Sequence, residues 1–149
     1  MTTYTCTKRF PEICVAHRNH KAQTHCAMVH GYARTVELTF TGPLDHNEWV
    51  VDLGALAFIR EFLKEQWDHR LLLSDHDPLL EDFKQLEKKG ALHLNIMDSS
   101  KGHGPTLEGS CKFIADFVQS ELAHRMPQVK LSKVEIWEKT DNRSALILE

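Results

Sequence analysis

Residues 16–40 read AHRNHKAQTHCAMVHGYARTVELTF, and this stretch holds the histidine, cysteine and strand pattern that decides the fold. Its second half alternates polar and apolar residues, which is typical of a strand with one buried face. If the pairing begins at His30, the alternation places five residues on one face: His30, Tyr32, Val36, Leu38 and Phe40. The first two then lie at the end of that face, where a metal or a substrate could bind.

The histidines around this strand start are candidates for a metal site. Neutral imidazole is the commonest zinc ligand, and two or three converging imidazoles leave a coordination position open for chemistry. His17 precedes the segment, and Cys26 lies four residues before His30, close enough to act on a metal-bound group. The chain has ten histidines, so clustering by chance is the alternative. Because neither an HExxH nor a paired CxxC motif is present, spacing alone leaves both interpretations open.

Composition limits the class of protein. A chain of 149 residues with 42% apolar residues is most simply one domain, residues 1–149, with a substantial core. The net charge of −3 gives no basic surface for nucleic acid. The four cysteines follow no disulfide framework, and we find neither a signal-peptide pattern nor an apolar run long enough for a membrane span. We therefore expect a soluble cytoplasmic protein with reduced thiols.

Periodicity predicts the order of the elements. Strands are predicted over Tyr4–Val15, 33–41, Leu92–Ile96, the segment around Val134–Glu138, and 145–149. Asp52 is predicted to cap a first helix running from Leu53 to about His69, a shorter helix covers Pro78–Lys88, and Thr106 caps a helix that Pro127 ends. Loops are predicted over 18–29, which holds Cys26, and over 71–78 and 98–105.

This order predicts an α+β domain with antiparallel strands in one layer and helices in the other. Because such a sheet is covered on one face only, its other face or its edges are expected to be buried against neighbouring subunits.

Six short motifs occur in order along residues 10–142. They are Ala16-His17, CAMVHGY at 26–32, VDL at 51–53, Asp68-His69 followed by leucines, PTLE at 105–108, and the closing strand with its acid at Glu138. In the same order they resemble Ala-His, CxxxHGH, VDF, DH..L, PTxE and the last strand of the 6-pyruvoyltetrahydropterin synthase and 6-carboxytetrahydropterin synthase family.

The resemblance implies a tunnelling fold, or T-fold: an antiparallel sheet with two long helices on one face, assembled as a ring. The oligomer would commonly be a hexamer of two trimers with sites between subunits. The substrate would be 7,8-dihydroneopterin triphosphate. The products would be 6-carboxy-5,6,7,8-tetrahydropterin, acetaldehyde and triphosphate, on the route to queuosine and other deazapurines, or 6-pyruvoyltetrahydropterin in the other branch. Cys26 stands where the branch that feeds folate synthesis has Glu.

The resemblance also implies residue roles. One zinc ion per subunit would act as a Lewis acid on side-chain oxygens of the substrate. The matching metal positions are His17, His30 and Tyr32. A thiolate would act as general base and a histidine oriented by an aspartate would exchange a proton, at the positions of Cys26, Asp68 and His69. The pterin ring would be held at the positions of Glu138, Thr106 and Glu108.

Each acidic candidate also fits a structural role. Asp68-His69 also suits the C-terminal end of a helix, Glu108 complements a helix dipole as a first-turn acid, and Glu138 suits a strand-end salt bridge.

Two positions depart from the family pattern. Tyr32 replaces the second His of HGH, and a phenol must lose a proton to bind zinc, so it is a poorer ligand than imidazole at neutral pH. Zinc binding through His17, His30 and Tyr32, replacement of the ligand by His20 or His25, and weak or absent metal all remain open. Gly109 stands where the family usually has Asn after PTxE.

Two functions of different classes follow. The first is a zinc-dependent pterin synthase of the carboxytetrahydropterin type, favoured by the joint presence of Cys26, Asp68, His69 and Glu138. The second is a paralogue that keeps the pterin pocket without the chemistry, favoured by the loss of the HGH histidine at Tyr32.

Overall fold

The computed structural model describes residues 2–149; Met1, the first residue of the predicted domain, lies outside the described residues. The strands are β1 (Tyr4–His17), β2 (His30–Gly42), β3 (Arg70–Ser74), β4 (Leu94–Met97), β5 (Lys130–Lys139) and β6 (Asn142–Ile147). The α-helices are α1 (Ala57–Gln66), α2 (Leu80–Lys88) and α3 (Leu107–Arg125). Short 3-10 helices cover His25–Ala27, Leu53–Leu56 and Ser99–Lys101.

The six strands form one mixed sheet in the order β4-β3-β1-β2-β5-β6. The pairs β1·β2, β2·β5 and β5·β6 are antiparallel, as predicted. The pairs β1·β3 and β3·β4 are parallel, so the prediction of a purely antiparallel sheet was wrong. Two parallel neighbours arise because the chain returns through α1 and then α2 before it re-enters the sheet, and such crossovers produce parallel pairs.

The long hairpin of β1 and β2 fixes which residues face the core. His17 pairs with His30 and Val15 with Tyr32. The register shifts between Phe10 and Ile13, where Glu12 has a φ of 59°. A bulge of this kind changes which residues of a strand point inward. Beyond it, Val15 and His17 face inward with the residues of β2 that share a face with His30.

The main core lies between this face of the sheet and the helices α1 and α3. The apolar spacing of three and four predicts one face for each helix, and most of these residues are buried: Leu56, Ile59, Leu63, Trp67, Cys111, Ile114, Ala115, Val118 and Leu122. Leu53, the first residue of the first face, is 39% exposed. The buried residues pack with Val36, Leu38 and Phe40 of β2 and with Val134 and Ile136 of β5. The caps predicted for the helices are also present, since Asp52 accepts from Gly54 N at 2.9 Å and Thr106 accepts from Gly109 N at 3.0 Å.

A second, smaller cluster involves the edge of the sheet formed by β3 and β4. Leu71, Leu73 and Leu94 are buried there, with Leu80 and Phe83 of α2 packed against them. Leu72, between the two buried leucines, belongs to the main core instead. Both faces of β3 are therefore covered with apolar side chains.

The loop predicted over 71–78 was wrong at its start, because β3 occupies Arg70–Ser74. Leu71, Leu72 and Leu73 are 5%, 0% and 0% exposed. A continuous apolar run is the expected pattern of a parallel strand buried on both faces, and it lacks the alternation by which the other strands were found.

Smaller boundary differences have local causes. The first helix begins as a 3-10 turn at Leu53–Leu56 and becomes α-helical only at Ala57, so α1 is ten residues long and not a long helix. The third predicted strand begins at Leu94 rather than Leu92, and the last strand lies at Asn142–Ile147 rather than 145–149, because β6 pairs with β5 directly after a tight turn. None of the helices formed by residues 2–149 combines the length and apolar character that a bilayer span requires.

Candidate functional site

Three of the predicted site residues come together at one end of the β1–β2 hairpin. The ring centroids of His17 and His30 are 4.3 Å apart, and the Tyr32 ring lies 6.0 Å from His17 and 5.6 Å from His30. Pairing of His17 with His30 produces this cluster, and strand alternation adds Tyr32 on the same face. The predicted convergence of His17, His30 and Tyr32 is therefore present in the structure.

His17 has the environment of a neutral ligand. Its side chain is buried, and its Nδ1 has no hydrogen-bond partner. Burial, followed by the positive charges of Arg34 and His30, lowers the pKa of His17 from 6.5 to about 3. A buried imidazole that stays neutral and keeps an unpaired nitrogen carries the lone pair that a metal ion requires.

His30 is oriented by the backbone. Its Nδ1 lies 2.7 Å from the carbonyl oxygen of Met28. A histidine that donates one N–H to a carbonyl keeps its other nitrogen as the acceptor, which is the usual arrangement of a metal-binding imidazole. Both imidazoles therefore have the chemistry of metal ligands.

The structure does not supply a third imidazole, thiolate or carboxylate ligand beside His17 and His30 in the described part of the chain. Within residues 2–149, no group of three or more His, Cys, Asp or Glu side chains is arranged to hold a metal ion. His20 and His25 in the preceding loop therefore do not complete such a group with His17 and His30. The side chain beside the two imidazoles is the phenol of Tyr32.

Cys26 lies in the loop between β1 and β2, as predicted, within the 3-10 turn His25–Ala27. Thr24 caps this turn by accepting from Cys26 N at 3.4 Å, and Asn19 N donates to Cys26 O at 2.9 Å. Cys26 is partly buried and forms no disulfide within residues 2–149. The loop that carries it is thus held by its own hydrogen bonds.

Asp68 and His69 occupy a different place. Asp68 Oδ2 lies 3.1 Å from His69 Nδ1, so the predicted pair is formed. Asp68 Oδ1 also accepts from Cys14 N at 3.2 Å, and His69 N donates to Cys14 O at 2.7 Å. The backbone of His69 has a φ of 60°. Cys14 alternates with the inward-facing Val15 and is exposed on the opposite side of the sheet.

His69 accordingly lines a cavity of about 510 Å³ together with residues of that outer face, among them Cys14, Ala16 and Ala33. Its side chain is 76% exposed. Within one chain, the structure does not bring the Asp68–His69 pair to the cluster of His17 and His30.

The three residues predicted to hold a pterin lie around the start of α3 and the β5–β6 hairpin. Glu138 follows the buried Val134 and Ile136 on their face of β5, as predicted, and accepts from Asn142 Nδ2 at 3.0 Å. Glu108 accepts from Ser144 Oγ at 2.8 Å. Thr106 Oγ1 is occupied by its capping bond. Both carboxylates are thus oriented by side chains of the same hairpin.

Arg34 is a site residue that the sequence interpretation missed. Its side chain is fully buried on the face that carries Tyr32. The strand alternation places it on this face, but the sequence interpretation did not include it. Nη1 donates to Ser110 Oγ and Nη2 to Pro105 O, each at 2.9 Å. Burial lowers the pKa of Arg34 to about 10, and the negative charge of Glu138 limits this decrease. The guanidinium is therefore charged at neutral pH. Arg34 thus links β2 to the segment that holds Thr106 and Glu108.

The structure also accounts for Gly109. A Cβ at this position would lie 2.7 Å from Gly104 N and 2.8 Å from Gly104 Cα. The first turn of α3 therefore packs directly on the backbone of the preceding loop, and no larger residue fits there without movement.

Comparison with known proteins identifies the family of the chain. The family model described as 6-pyruvoyl tetrahydropterin synthase matches residues 5–149. A probable 6-carboxy-5,6,7,8-tetrahydropterin synthase of Halobacterium salinarum is 36% identical over 69 residues, covering 44% of this chain and 43% of that protein. The 6-carboxy-5,6,7,8-tetrahydropterin synthase of Aquifex aeolicus is 27% identical over 128 residues, covering 83% of this chain and 76% of that protein.

The fold is shared with a solved structure of 6-pyruvoyl tetrahydropterin synthase from Caenorhabditis elegans. The TM-score is 0.66 at 18% identity, with 100% of this chain and 98% of that chain covered. A mixed sheet with three helices, and a family match over nearly the whole sequence, define the class. The chain belongs to the 6-pyruvoyl tetrahydropterin synthase family.

Proposed function

We propose that this chain is a 6-carboxy-5,6,7,8-tetrahydropterin synthase-like lyase acting on 7,8-dihydroneopterin triphosphate. The observation that carries the proposal is the pair His17 and His30, whose ring centroids are 4.3 Å apart. The two histidines flank the loop that carries Cys26. The names of the two curated relatives support the carboxy product. A place on the route to queuosine and other deazapurines is part of the same proposal.

In this proposal His17 and His30 hold zinc, one ion per subunit. The metal would polarise side-chain oxygens of the substrate as a Lewis acid. Buried and uncharged, His17 offers a lone pair without first losing a proton, and the Met28 carbonyl fixes the orientation of His30. Tyr32 borders the remaining position with a phenol, which binds zinc less well than imidazole at neutral pH.

The protein's own groups would bind the substrate and move its protons. The carboxylates of Glu138 and Glu108 accept hydrogen bonds from the N–H groups of the pterin ring, and Thr106 caps the first turn of α3, which carries Glu108. Cys26, as the thiolate, accepts a proton from the substrate side chain and becomes the neutral thiol. A basic imidazole then exchanges that proton, and the candidate is His69, which Asp68 orients through its 3.1 Å contact.

That last step requires a second subunit. His69 lies on the opposite side of the sheet from His17 and His30, so the pair that one chain separates would meet across an interface. Two edges of the sheet are open for such contacts, and Ile96 on β4 and Ile147 on β6 are 42% and 66% exposed there. We therefore propose a ring-forming homo-oligomer of the single domain 1–149, a hexamer of two trimers with sites between subunits.

The proposal is tested by the masses of the products formed from 7,8-dihydroneopterin triphosphate. Purified protein is assayed after zinc addition and after chelation, with Cys26→Ala as the matched inactive control. Zinc-dependent formation of 6-carboxytetrahydropterin with acetaldehyde is expected. Formation of 6-pyruvoyltetrahydropterin would overturn the assignment of the product.

A second candidate is a pterin-binding paralogue without the chemistry. Tyr32 favours it, because the third imidazole is missing, and so does the buried positive charge of Arg34 on the same face, which opposes a cation nearby. Saturable pterin binding with no turnover in either sample would select this candidate.

A further inference from the structure

An ion pair outside the motif residues links the cysteine loop to the rest of the fold. Arg18 Nε donates to Asp77 Oδ2 at 2.7 Å, and Arg18 Nη2 donates to Asp77 Oδ1 at 3.0 Å. The Asp77 side chain is 0% exposed and that of Arg18 is 13% exposed. Two parallel bonds between a guanidinium and a carboxylate fix direction as well as distance, so this pair is rigid.

The third nitrogen of the same guanidinium reaches the cysteine turn. Arg18 Nη1 donates to the carbonyl oxygen of Ala27, the residue after Cys26, at 2.9 Å. The other hydrogen bonds of segment 18–29 in the described structure are internal or go to the adjoining His30. The bonds to Asp77 are therefore the hydrogen bonds by which this segment is joined to a distant part of residues 2–149.

Asp77 is itself fixed at the end of β3. Its Oδ1 accepts from Leu79 N at 2.9 Å, its backbone N donates to Ser74 O at 3.1 Å, and its carbonyl accepts from Leu80 N at 3.0 Å. Burial opposes the charge of this carboxyl, yet the hydrogen bonds from Arg18 and Leu79 N hold its pKa below the usual value. Removal of either partner would leave the other charge buried and unpaired, which is strongly destabilising.

We propose that Arg18 and Asp77 are positioning residues for Cys26. Through the Ala27 carbonyl, the ion pair holds the 3-10 turn of Cys26 in a fixed place relative to β3 and to the histidines at the end of β1 and β2. The role of Cys26 in turnover rests on the proposed function, whereas the placement of the thiol does not.

The test measures the thiol directly. Asp77→Asn keeps the size of the side chain and its bond to Leu79 N but removes the charge that holds Arg18. The matched control is Asp75→Asn, because Asp75 accepts from Ser99 N and does not contact Arg18. The rate of Cys26 alkylation by iodoacetamide is followed by peptide mass spectrometry, with the exposed Cys14 as the internal reference.

We expect Asp77→Asn to raise the Cys26 alkylation rate by about fivefold, because the turn opens locally more often. The Cys14 rate and the Asp75→Asn protein stay at wild-type values. In zinc-loaded protein that turns over, kcat of Asp77→Asn falls by about tenfold to a hundredfold with KM within about twofold, since misplacement by about 1 Å has effects of that size.

A second variant covers loss of folding. Arg18→Met combined with Asp77→Leu removes both charges and replaces them with apolar side chains of similar size, an exchange that is often neutral for stability. Accelerated Cys26 alkylation in this folded double variant supports the proposal. An unchanged alkylation rate in both variants would overturn it, and so would faster alkylation with unchanged kcat. If the wild-type protein has no turnover, the proposed function fails while the alkylation result still decides the placement.

Discussion

Gly109→Ala tests whether α3 packs on the Gly104 backbone as closely as the structure shows. The added methyl would lie 2.7 Å from Gly104 N, 2.8 Å from its Cα and 3.1 Å from its carbonyl carbon. These are backbone atoms, so no side-chain rotation relieves the contact. The loop must move, and with it the bond that Ser110 Oγ donates to Gly104 O at 3.1 Å.

Two opposing terms set the expected magnitude. Overpacking of a well-packed region costs about 1–3 kcal/mol, and rigid backbone neighbours place this case in the upper part of that range. Alanine in place of glycine within a helix stabilises the folded state by up to about 1 kcal/mol. We therefore expect a net loss of about 1–2 kcal/mol, or a fall of roughly 2–8 °C in Tm for a domain of this size.

The assay is urea unfolding and thermal melting at equal protein concentration, together with KM for the pterin substrate. Gly104→Ala is the matched control, because its Cβ would meet only Gly109 Cα at 4.0 Å. The control should be neutral or slightly stabilising, since alanine restricts the unfolded chain. KM should rise for Gly109→Ala, because the displaced segment carries Thr106 and Glu108. A Gly109→Ala protein as stable as Gly104→Ala would refute the close approach.

Leu72→Ala should lower the free energy of unfolding by about 2–5 kcal/mol in urea titrations, as expected of a fully buried strand residue; a loss below about 0.5 kcal/mol would indicate a surface loop. In chelated protein, His17 takes up a proton near pH 6.5 in the unfolded state but only near pH 3 in the folded state. The contribution of His17 to stability is therefore complete above pH 6.5 and declines as the pH falls towards 3. His17→Gln should flatten that decline and the exposed His46→Gln should not; equal slopes in all three proteins would contradict the assigned burial effect. Tyr32→His should strengthen zinc binding measured by competition with a chromophoric chelator, and an unchanged affinity would place residue 32 outside the ligand set.

Alternation and helical periodicity were sufficient for most of the fold because those patterns record one-sided burial. The two strands of the hairpin and most buried positions of α1 and α3 follow from such patterns. The caps at Asp52 and Thr106 follow from the residue type at the start of each helix. β3 was missed for the converse reason, because a strand buried on both faces has no alternation. Parallel pairing likewise leaves no local signal, since it depends on the path of the intervening helices.

The site was predicted in part for similar reasons. Period two placed His30 and Tyr32 on one face, whereas the family resemblance grouped His17 with them; the pairing of His17 with His30 is visible only in the structure. Arg34 was missed even though the same period puts it on the inner face, because a buried guanidinium is rare enough that an exposed one is assumed.

Other features of the site depend on tertiary contacts. The Arg18–Asp77 ion pair joins residues 59 positions apart, and nothing local in the sequence indicates it. The placement of His69 on the far side of the sheet depends on the pairing of β3 with β1. Gly109 departs from the family motif, and its close contact with the Gly104 backbone explains why a larger residue does not fit there.

The central claim is that catalytic groups separated within one chain meet between two chains. Cys26→Ala protein and His69→Ala protein, which we expect to be inactive when assayed separately, are mixed under conditions that exchange subunits, and turnover of 7,8-dihydroneopterin triphosphate is measured. If sites are shared between neighbours, random mixing in a ring restores about one quarter of wild-type activity. Mixed oligomers that form but stay inactive would contradict the account.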